Sequence, residues 1–473
     1  MPNIREQQRR LSQWATDHPE ARYRDLWNLI SDPAWLAEAY QRIRGNAGAN
    51  TPGVDRDTRD AWECNLPDRL AQLHQELRTG TYTPQPCRRV YIPKRNGKLR
   101  PLGIPALKDR IVQEAVRMAV EPIFEADFSE YSYGFRPHRS TQDAAVMIRR
   151  WMMAGKKMYY VIEGDIHAYF DTIHHRKLMA LLKRRIADKQ VLALIWQWLK
   201  AGVMEQGKFS ATDEGTPQGG VISPLLANIY LHELDRYLHE RFLDASHREK
   251  DQRRRLGGFN IGYVRYADDF VVFCNGSIDD VRRLKAEIAA FLTETLQLTL
   301  SDEKTTITQT LDGFDFLGFQ FYLGHDRTGG LKPKMRIPRT RLVAIKEKIK
   351  ALTADDRVFL DEAAIVKHLN AVLRGWGNYY RHLPASTAFS QIERYTFWRV
   401  VRWYRRKYQW STAQVLTHRQ TRDAGNQRLF AEWQNANGSR HQIRLVHLGR
   451  DIRYQPYCGR RVPNPFLGET TGQ

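Results

Sequence analysis

Two adjacent carboxylates interrupt an apolar run at Tyr263-Val264-Arg265-Tyr266-Ala267-Asp268-Asp269-Phe270-Val271-Val272-Phe273. Apolar residues lead up to Asp268 and Asp269 and away from them, the pattern of a β-hairpin with the acids at its tip. Neighbouring like charges repel, and each must be hydrated or paired. A hairpin selected for its turn alone favours Asn-Gly or Asp-Gly there. Taken by itself, Asp-Asp in such a place is most often a polar turn on a sheet. Another carboxylate changes the balance. Asp165 follows the strand-like run Met158-Tyr159-Tyr160-Val161-Ile162. Two strands ending together with three carboxylates form a cage for two divalent cations. Mg²⁺ prefers hard oxygen ligands and takes few from protein, which leaves room for phosphates. A metal pair about 4 Å apart serves both the attacking and the leaving oxygen in phosphoryl transfer, which is what a polymerase requires.

The rest of the composition points the same way. The chain has 473 residues, 42% of them hydrophobic, enough for two or more packed units. Its net charge of +21 and pI near 9.8 call for a polyanionic partner, most commonly nucleic acid. Cys64, Cys87, Cys274 and Cys458 are widely spaced, with no Cys-x-x-Cys pair, so neither a zinc site nor a disulfide framework is indicated. No apolar run spans a bilayer, and the first residues lack the apolar core of a signal peptide. The expectation is a cytoplasmic bacterial protein that works with nucleic acid and not at a membrane.

Helical spacing marks the first 44 residues, residues 66–77, Asp109 to Phe124 with Ile111, Val112, Ala115 and Met118 on one face, and Val281 to Leu296. The glycine-rich segment Gly45 to Asp55 lacks a phosphate-loop lysine; close approach to a nucleic-acid backbone and a plain linker are equally open. Arg88 to Lys94 and Lys98 to Pro105 read as a basic two-stranded ribbon turning at Arg95-Asn96-Gly97. Lys94 and Arg100 suit a triphosphate, and an edge strand protected by charge is the competing reading. After Asp165, Tyr169 is the candidate aromatic beneath the sugar of an incoming nucleotide, where a bulky ring would exclude a 2′-hydroxyl. Core packing of Tyr169 and Phe170 fits the spacing as well. Gly215-Thr216-Pro217-Gln218-Gly219-Gly220 offers Gln218 to a nucleotide, Ser223 reads as the N-cap of a helix with Pro224 as its first residue, and Leu298-Thr299-Leu300 and Lys304-Thr305-Thr306-Ile307 read as short strands. Beyond Arg336, aromatics interleave with arginines in Arg374-Gly375-Trp376-Gly377-Asn378-Tyr379-Tyr380 and in Phe397 to Tyr408. Guanidinium groups there can hold phosphates while the rings stack or pack.

The ordered set of basic ribbon, Ser132-Tyr133-Gly134-Phe135-Arg136-Pro137, Asp165 to Phe170, Thr216-Pro217-Gln218-Gly219, Tyr266-Ala267-Asp268-Asp269 and Phe316-Leu317-Gly318 resembles the reverse transcriptases encoded by group II introns. Arg374 to Tyr380 resembles their maturase domain. The resemblance covers about Leu36 to Tyr408. It implies an α+β right-hand polymerase: an N-terminal extension with a template-covering loop (1–60), fingers (61–156), a palm with an antiparallel sheet (157–322, with a fingers return near 190–225), an α-helical thumb or maturase domain (323–420) and a basic tail (421–473). It further implies two Mg²⁺ ions, with Mn²⁺ as a substitute, on Asp165, Asp268, Asp269 and the carbonyl of Ile166. Lys94, Arg100, Tyr169 and Gln218 become nucleotide contacts. Arg374, Trp376, Asn378, Tyr379, Arg402, Arg405 and Arg406 are the candidate RNA contacts. The implied partners are a group II intron RNA, an RNA template with a DNA primer, deoxynucleoside triphosphates and target DNA. Many family members carry a zinc-binding endonuclease built on paired cysteines, and the lone Cys458 leads to the expectation that it is lacking. Two alternatives share parts of this reading: a host-adopted reverse transcriptase acting in DNA repair, and an RNA-binding splicing cofactor without polymerase activity.

Overall fold

The computed structural model describes residues 3–467 except 47, 94–96, 98, 206–207, 212–213, 217–218, 424–425, 436, 438, 458 and 460–461; the side chains of 422, 423 and 426 also lie outside the described set. The strands, in chain order, are β1 (Cys87–Pro93), β2 (Leu99–Ile104), β3 (Tyr160–Gly164), β4 (Val203–Glu205), β5 (Lys208–Ser210), β6 (Ile261–Tyr266), β7 (Asp269–Cys274), β8 (Thr306–Gln309), β9 (Phe314–Phe316), β10 (Phe319–His325), β11 (Leu331–Arg336), β12 (Gln420–Asp423), β13 (Asn426–Gln434) and β14 (Arg440–Arg444). They form four small sheets among many helices, a mixed α+β architecture; of the strand pairs whose register is described, β1 with β4 is parallel and the rest are antiparallel. The chain divides into two compact units, one of Met1–Trp151, Lys156–Thr308 and Arg460–Gln473, the other of Met152–Gly155 and Gln309–Gly459.

The first unit is organised around the sheet β6-β7-β3-β8. Val264, Phe270, Val271, Val272 and Phe273 are wholly buried, so β6 and β7 are apolar on both faces, as strands covered on both sides must be. The helix Leu107–Glu125 is the longest element of this unit, and nearly all of its side chains are buried. Helices Pro33–Arg44, capped by Asp32, and Ile4–Asp17, capped by Asn3, pack on it. Capping carboxamides and carboxylates accept the otherwise orphaned first N–H groups, and this sets where each helix starts. Two details differ from sequence expectation. Ile222, and not Ser223, occupies the N-cap of helix Ser223–Leu238, because Ser223 already has helical backbone. Leu298-Thr299-Leu300 is no strand; only Leu300 makes an isolated bridge, to Ile166.

The second unit carries the helices Arg339–Leu352, Glu362–Tyr380 and Ser386–Tyr408, together with the sheets β11-β10-β9 and β12-β13-β14. The last sheet is unexpected, because its strands fall in a region whose polar, basic composition masks alternation. Leu429 and Ala431 are nonetheless fully buried on β13. Side chains from the helices fasten this sheet: Tyr404 Oη donates to the Phe430 carbonyl at 2.8 Å, and the Glu362 carboxylate accepts from Glu432 N–H at 2.7 Å. Asn370, 1% exposed, donates to the Arg444 carbonyl and accepts from the Val446 N–H, both at 2.8 Å. Asn370→Ala would leave the buried Val446 N–H and the partly buried Arg444 carbonyl without this partner. The expected loss is about 3 kcal/mol of stability, measurable by urea unfolding of the second unit's signal.

Candidate active site

Strand register brings the predicted carboxylates together. β3 runs antiparallel to β7 and its ladder ends with Gly164 opposite Phe270, so one residue further along Asp165 comes level with Asp269. β6 and β7 pair from Ile261↔Cys274 to Tyr266↔Asp269, leaving Ala267 and Asp268 as a two-residue loop. The hairpin tip is therefore Ala267-Asp268, and Asp269 is the first residue of β7, a one-residue correction to the expected tip. Opposed positions on neighbouring strands sit about 5 Å apart at Cβ, close enough for two carboxyls to interact.

The electrostatics reflect this closeness. Burial, then the charges of Asp268 and Asp165, push the Asp269 carboxyl up to about 7; a hydrogen bond with Asp165 adds to the rise and Lys304 opposes it. Asp269 is open to solvent at its surface while protein walls most other sides, so its hydration is incomplete. Asp268 is also raised, by burial and by Asp165, with Arg100 and Lys304 pulling it back. Lys304 Nζ lies 2.7 Å from Asp165 Oδ2, a cation already seated among the acids. Among the described residues no three His, Cys, Asp or Glu side chains are gathered into a closed ligating group. The donor set still suits Mg²⁺: hard carboxylate oxygens on adjoining strand ends, mutually destabilised until a cation neutralises them. The Ile166 carbonyl also fits. In the Ile166↔Leu300 bridge, the hydrogen bonds run through its neighbours, His167 N–H to Thr299 O at 2.9 Å and Ser301 N–H to Asp165 O at 2.8 Å.

Beneath the hairpin lies an ion pair that sequence pattern did not single out. Arg265 and Asp235 have fully buried side chains, joined through Nε at 2.8 Å and Nη2 at 2.6 Å. Arg265 Nη1 also donates to the Ala267 carbonyl and to Asn228 Oδ1, each at 3.0 Å, and Asn228 Nδ2 donates to the Gly134 carbonyl at 2.8 Å. Burial alone would raise Asp235; the Arg265 guanidinium reverses this and holds the carboxyl well below the usual range. Ala267 has φ +59, a left-handed backbone that costs a non-glycine residue about 1 kcal/mol. The bond to its carbonyl helps hold that conformation. Gly134 meets the same turn so closely that a Cβ there would lie 2.2 Å from Ala267 N. The only sequence signal was an arginine inside an apolar strand, which demands a buried partner.

Other predicted residues fall into place unevenly. Arg100 is exposed on β2, within electrostatic reach of Asp268. Lys94 and Gln218 lie outside the described residues. Residues flanking Gln218 are tied to the site: Thr216 N–H donates to the Phe170 carbonyl at 2.7 Å, and a Cβ on Gly219 would come within 2.6 Å of the Gly103 carbonyl on β2. Tyr169 requires correction. It is 2% exposed, and its hydroxyl donates to the Ala227 carbonyl at 2.5 Å, so its ring belongs to the core and cannot lie beneath a nucleotide sugar. The 3₁₀ turn Tyr169–Asp171, entered through left-handed Ala168, turns residue 169 inward and leaves Phe170 partly exposed. Phe170 meets the exposed Phe135 edge-on at 6.2 Å. Arg136 of the same Ser132 to Pro137 motif is buried against Glu125 and is structural.

Residues 92–321 match the reverse transcriptase (RNA-dependent DNA polymerase) family, and residues 342–422 match the group II intron maturase-specific domain. The chain is 32% identical over 459 residues to the group II intron-encoded protein LtrA of Lactococcus lactis subsp. cremoris, covering 82% of this chain and 75% of that protein. It belongs to the group II intron-encoded reverse transcriptase and maturase family. Protein YkfC of Escherichia coli (strain K12) is 44% identical over 355 residues, covering 72% of this chain and 93% of that protein. The putative COX1/OXI3 intron 2 protein of Saccharomyces cerevisiae is 32% identical over 333 residues, covering 62% of this chain and 38% of that protein. The chain is thus an RNA-directed DNA polymerase with a maturase-specific domain, and its reverse transcriptase match contains Asp165, Asp268 and Asp269.

Within the maturase-specific match, the expected RNA contacts divide. Arg374, Asn378, Arg402 and Arg405 are exposed. Arg406 pairs with Asp355. Trp376 and Tyr379 are partly buried. The Trp376 ring packs against Tyr380 and Phe389, while Tyr379 stacks on Phe319 at 5.2 Å and donates to the Leu317 carbonyl at 2.6 Å. At helical spacing both rings fall on the packed side of the helix Glu362–Tyr380.

The raised Asp269 carboxyl has a pH signature. Between its ordinary value near 3.8 and about 7 the folded chain keeps a proton that the unfolded chain has lost, so stability of the cation-free protein falls as pH rises through that window. Mg²⁺ is expected to raise Tm more at pH 8 than at pH 6, and to release protons on binding below pH 7. Calorimetry in buffers of different ionisation enthalpy checks this, and Asp269→Asn should remove the buffer dependence.

Proposed function

We propose that this reverse transcriptase extends a DNA primer on an RNA template by two-metal-ion nucleotidyl transfer, and that it binds a group II intron RNA to promote splicing and retromobility. The single observation that supports the chemistry is the register apposition of Asp165 and Asp269 beside Asp268. In this reading the sheet β6-β7-β3-β8 is the palm, β1 and β2 belong to the fingers, and the helices of the second unit form the thumb. Asp165, Asp268, Asp269 and the Ile166 carbonyl hold Mg²⁺. When bound, the ions supply charge neutralisation and lower the pKa of a coordinated hydroxyl. Arg100, together with Lys94, holds the triphosphate of the incoming nucleotide, where a guanidinium fork matches phosphate oxygens. Gln218 meets the nucleotide. Exposed Arg374, Arg402 and Arg405 grip intron RNA, consistent with a net charge of +21.

Asp269→Ala is expected to reduce Mg²⁺-dependent primer extension on an RNA template by more than roughly 10³-fold. Intron RNA binding, measured by filter retention, should change little. Extension at the wild-type rate would refute the carboxylate assignment.

Phe170 takes over the part expected of Tyr169. It stands on the turn that follows Asp165, partly exposed and supported by Phe135. A ring there excludes the 2′-hydroxyl of a ribonucleotide. Phe170→Ala should raise ribonucleotide incorporation relative to deoxynucleotide by roughly 10- to 100-fold in single-nucleotide extension assays. Unchanged discrimination would leave the ring with a packing role alone.

A further inference from the structure

The helix Ser386–Tyr408 has two faces of different character. Phe389, Ile392, Thr396, Val400, Val401, Trp403 and Tyr404 are buried. Gln391, Arg394, Tyr395, Trp398, Arg399 and Arg402 recur at intervals of three and four and so form a second stripe. Together with Lys346 of the helix Arg339–Leu352 they line a cavity of about 450 Å³. That volume is within the range of small-ligand sites.

The lining is cationic and aromatic, and no carboxylate contributes to it. Arg399 is committed to structure, donating to Thr353 Oγ1 at 3.0 Å and to the Thr353 carbonyl at 2.8 Å. Lys346 sits over the Tyr395 ring at 5.7 Å. Arg394 and Arg402 form no hydrogen bond or ion pair with any of the described residues, and both are exposed. Trp398 is 50% exposed, and its one ring neighbour among the described residues is Phe397, edge-on at 5.4 Å. A large indole left half in water between two unpaired guanidinium groups is a costly surface unless something covers it. Charge complementarity makes the occupant a polyanion, and the exposed ring face makes it one with a flat group to stack.

We propose that this groove holds an unpaired RNA nucleotide, with its base stacked on Trp398 and the adjoining phosphates on Arg394 and Arg402. The proposal rests on the RNA-binding reading above and gives it a specific contact. A duplex cannot supply the occupant, because its bases are already stacked on one another; a bulged or single-stranded nucleotide can turn its base outward onto the indole.

The test uses the full chain and a single-stranded oligoadenylate RNA carrying one 2-aminopurine, with a blunt RNA duplex and a DNA strand of the same sequence as further probes. Wild-type protein should bind the single-stranded RNA and quench the 2-aminopurine. Trp398→Ala should weaken binding roughly tenfold and restore fluorescence, while Trp398→Phe keeps most of both. Because Trp398 is half exposed and outside the core, circular dichroism should be unchanged. Arg394→Gln with Arg402→Gln should lower the salt slope on the single strand by roughly 1.4, a second readout independent of the ring. Equal binding by wild type and Trp398→Ala, or loss confined to the duplex, overturns the groove assignment while leaving the RNA reading intact. Equal loss on DNA and RNA overturns the commitment to RNA. Failure of wild type to bind any RNA would sink the underlying reading as well.

Discussion

The Arg265–Asp235 pair is the constraint on which the acidic hairpin depends. Two opposite charges with no exposed side-chain surface are stable only because each polar atom has a partner, and here the partners are parts of the hairpin itself. Tyr263 Oη donates to Asp235 at 2.8 Å, Asn228 receives the second arm of the guanidinium, and Ala267 receives the third bond. The backbone of Arg265 is bound as well: its N–H reaches the Tyr131 carbonyl and its carbonyl accepts from Tyr133 N–H, both at 2.9 Å. A pair of apolar residues could fill the same volume at no loss of stability, but it could not fix the carbonyl of a left-handed alanine one residue before Asp268.

That rigidity is what allows three like charges to meet. Asp165 lies directly after β3, Asp269 opens β7, and Asp268 stands in a two-residue loop, so none of them can swing far from the others to relieve repulsion. The strain appears as raised carboxyls at Asp268 and Asp269 and as the approach of Lys304. A site of this kind favours whatever brings positive charge with open coordination.

The second unit solves a different problem. Its helices are rich in both rings and arginines, and the structure separates them by face. Tyr379, Tyr380 and Trp376 pack inward around Phe319 and Phe389, while Arg374 and Asn378 of the same helix point outward. Ser386–Tyr408 repeats the division with Trp403 and Tyr404 inside, and departs from it once, at exposed Trp398. Glu362 joins the unit's helices to its last sheet by accepting from Tyr408 at 2.9 Å, Arg419 at 3.1 Å and the Glu432 backbone.

The α+β class, the acidic hairpin and the convergence of Asp165 with Asp268 and Asp269 were legible in the chain itself, because apolar runs ending in carboxylates are local patterns and strand pairing leaves few ways to satisfy them. The basic ribbon was legible for the same reason. Tertiary structure decided what pattern leaves degenerate. Adjacent aromatics such as Tyr169 and Phe170 have the same local signal, and only the left-handed turn at Ala168 determines which one enters the core. Interleaved rings and arginines say that a helix has two faces without saying which ring faces which way, so Trp376 and Tyr379 went inward while Trp398 did not. The partner of strand residue Arg265 lies thirty residues back on a helix, and a buried charge finds its counterion through packing, over a distance that sequence periodicity does not encode.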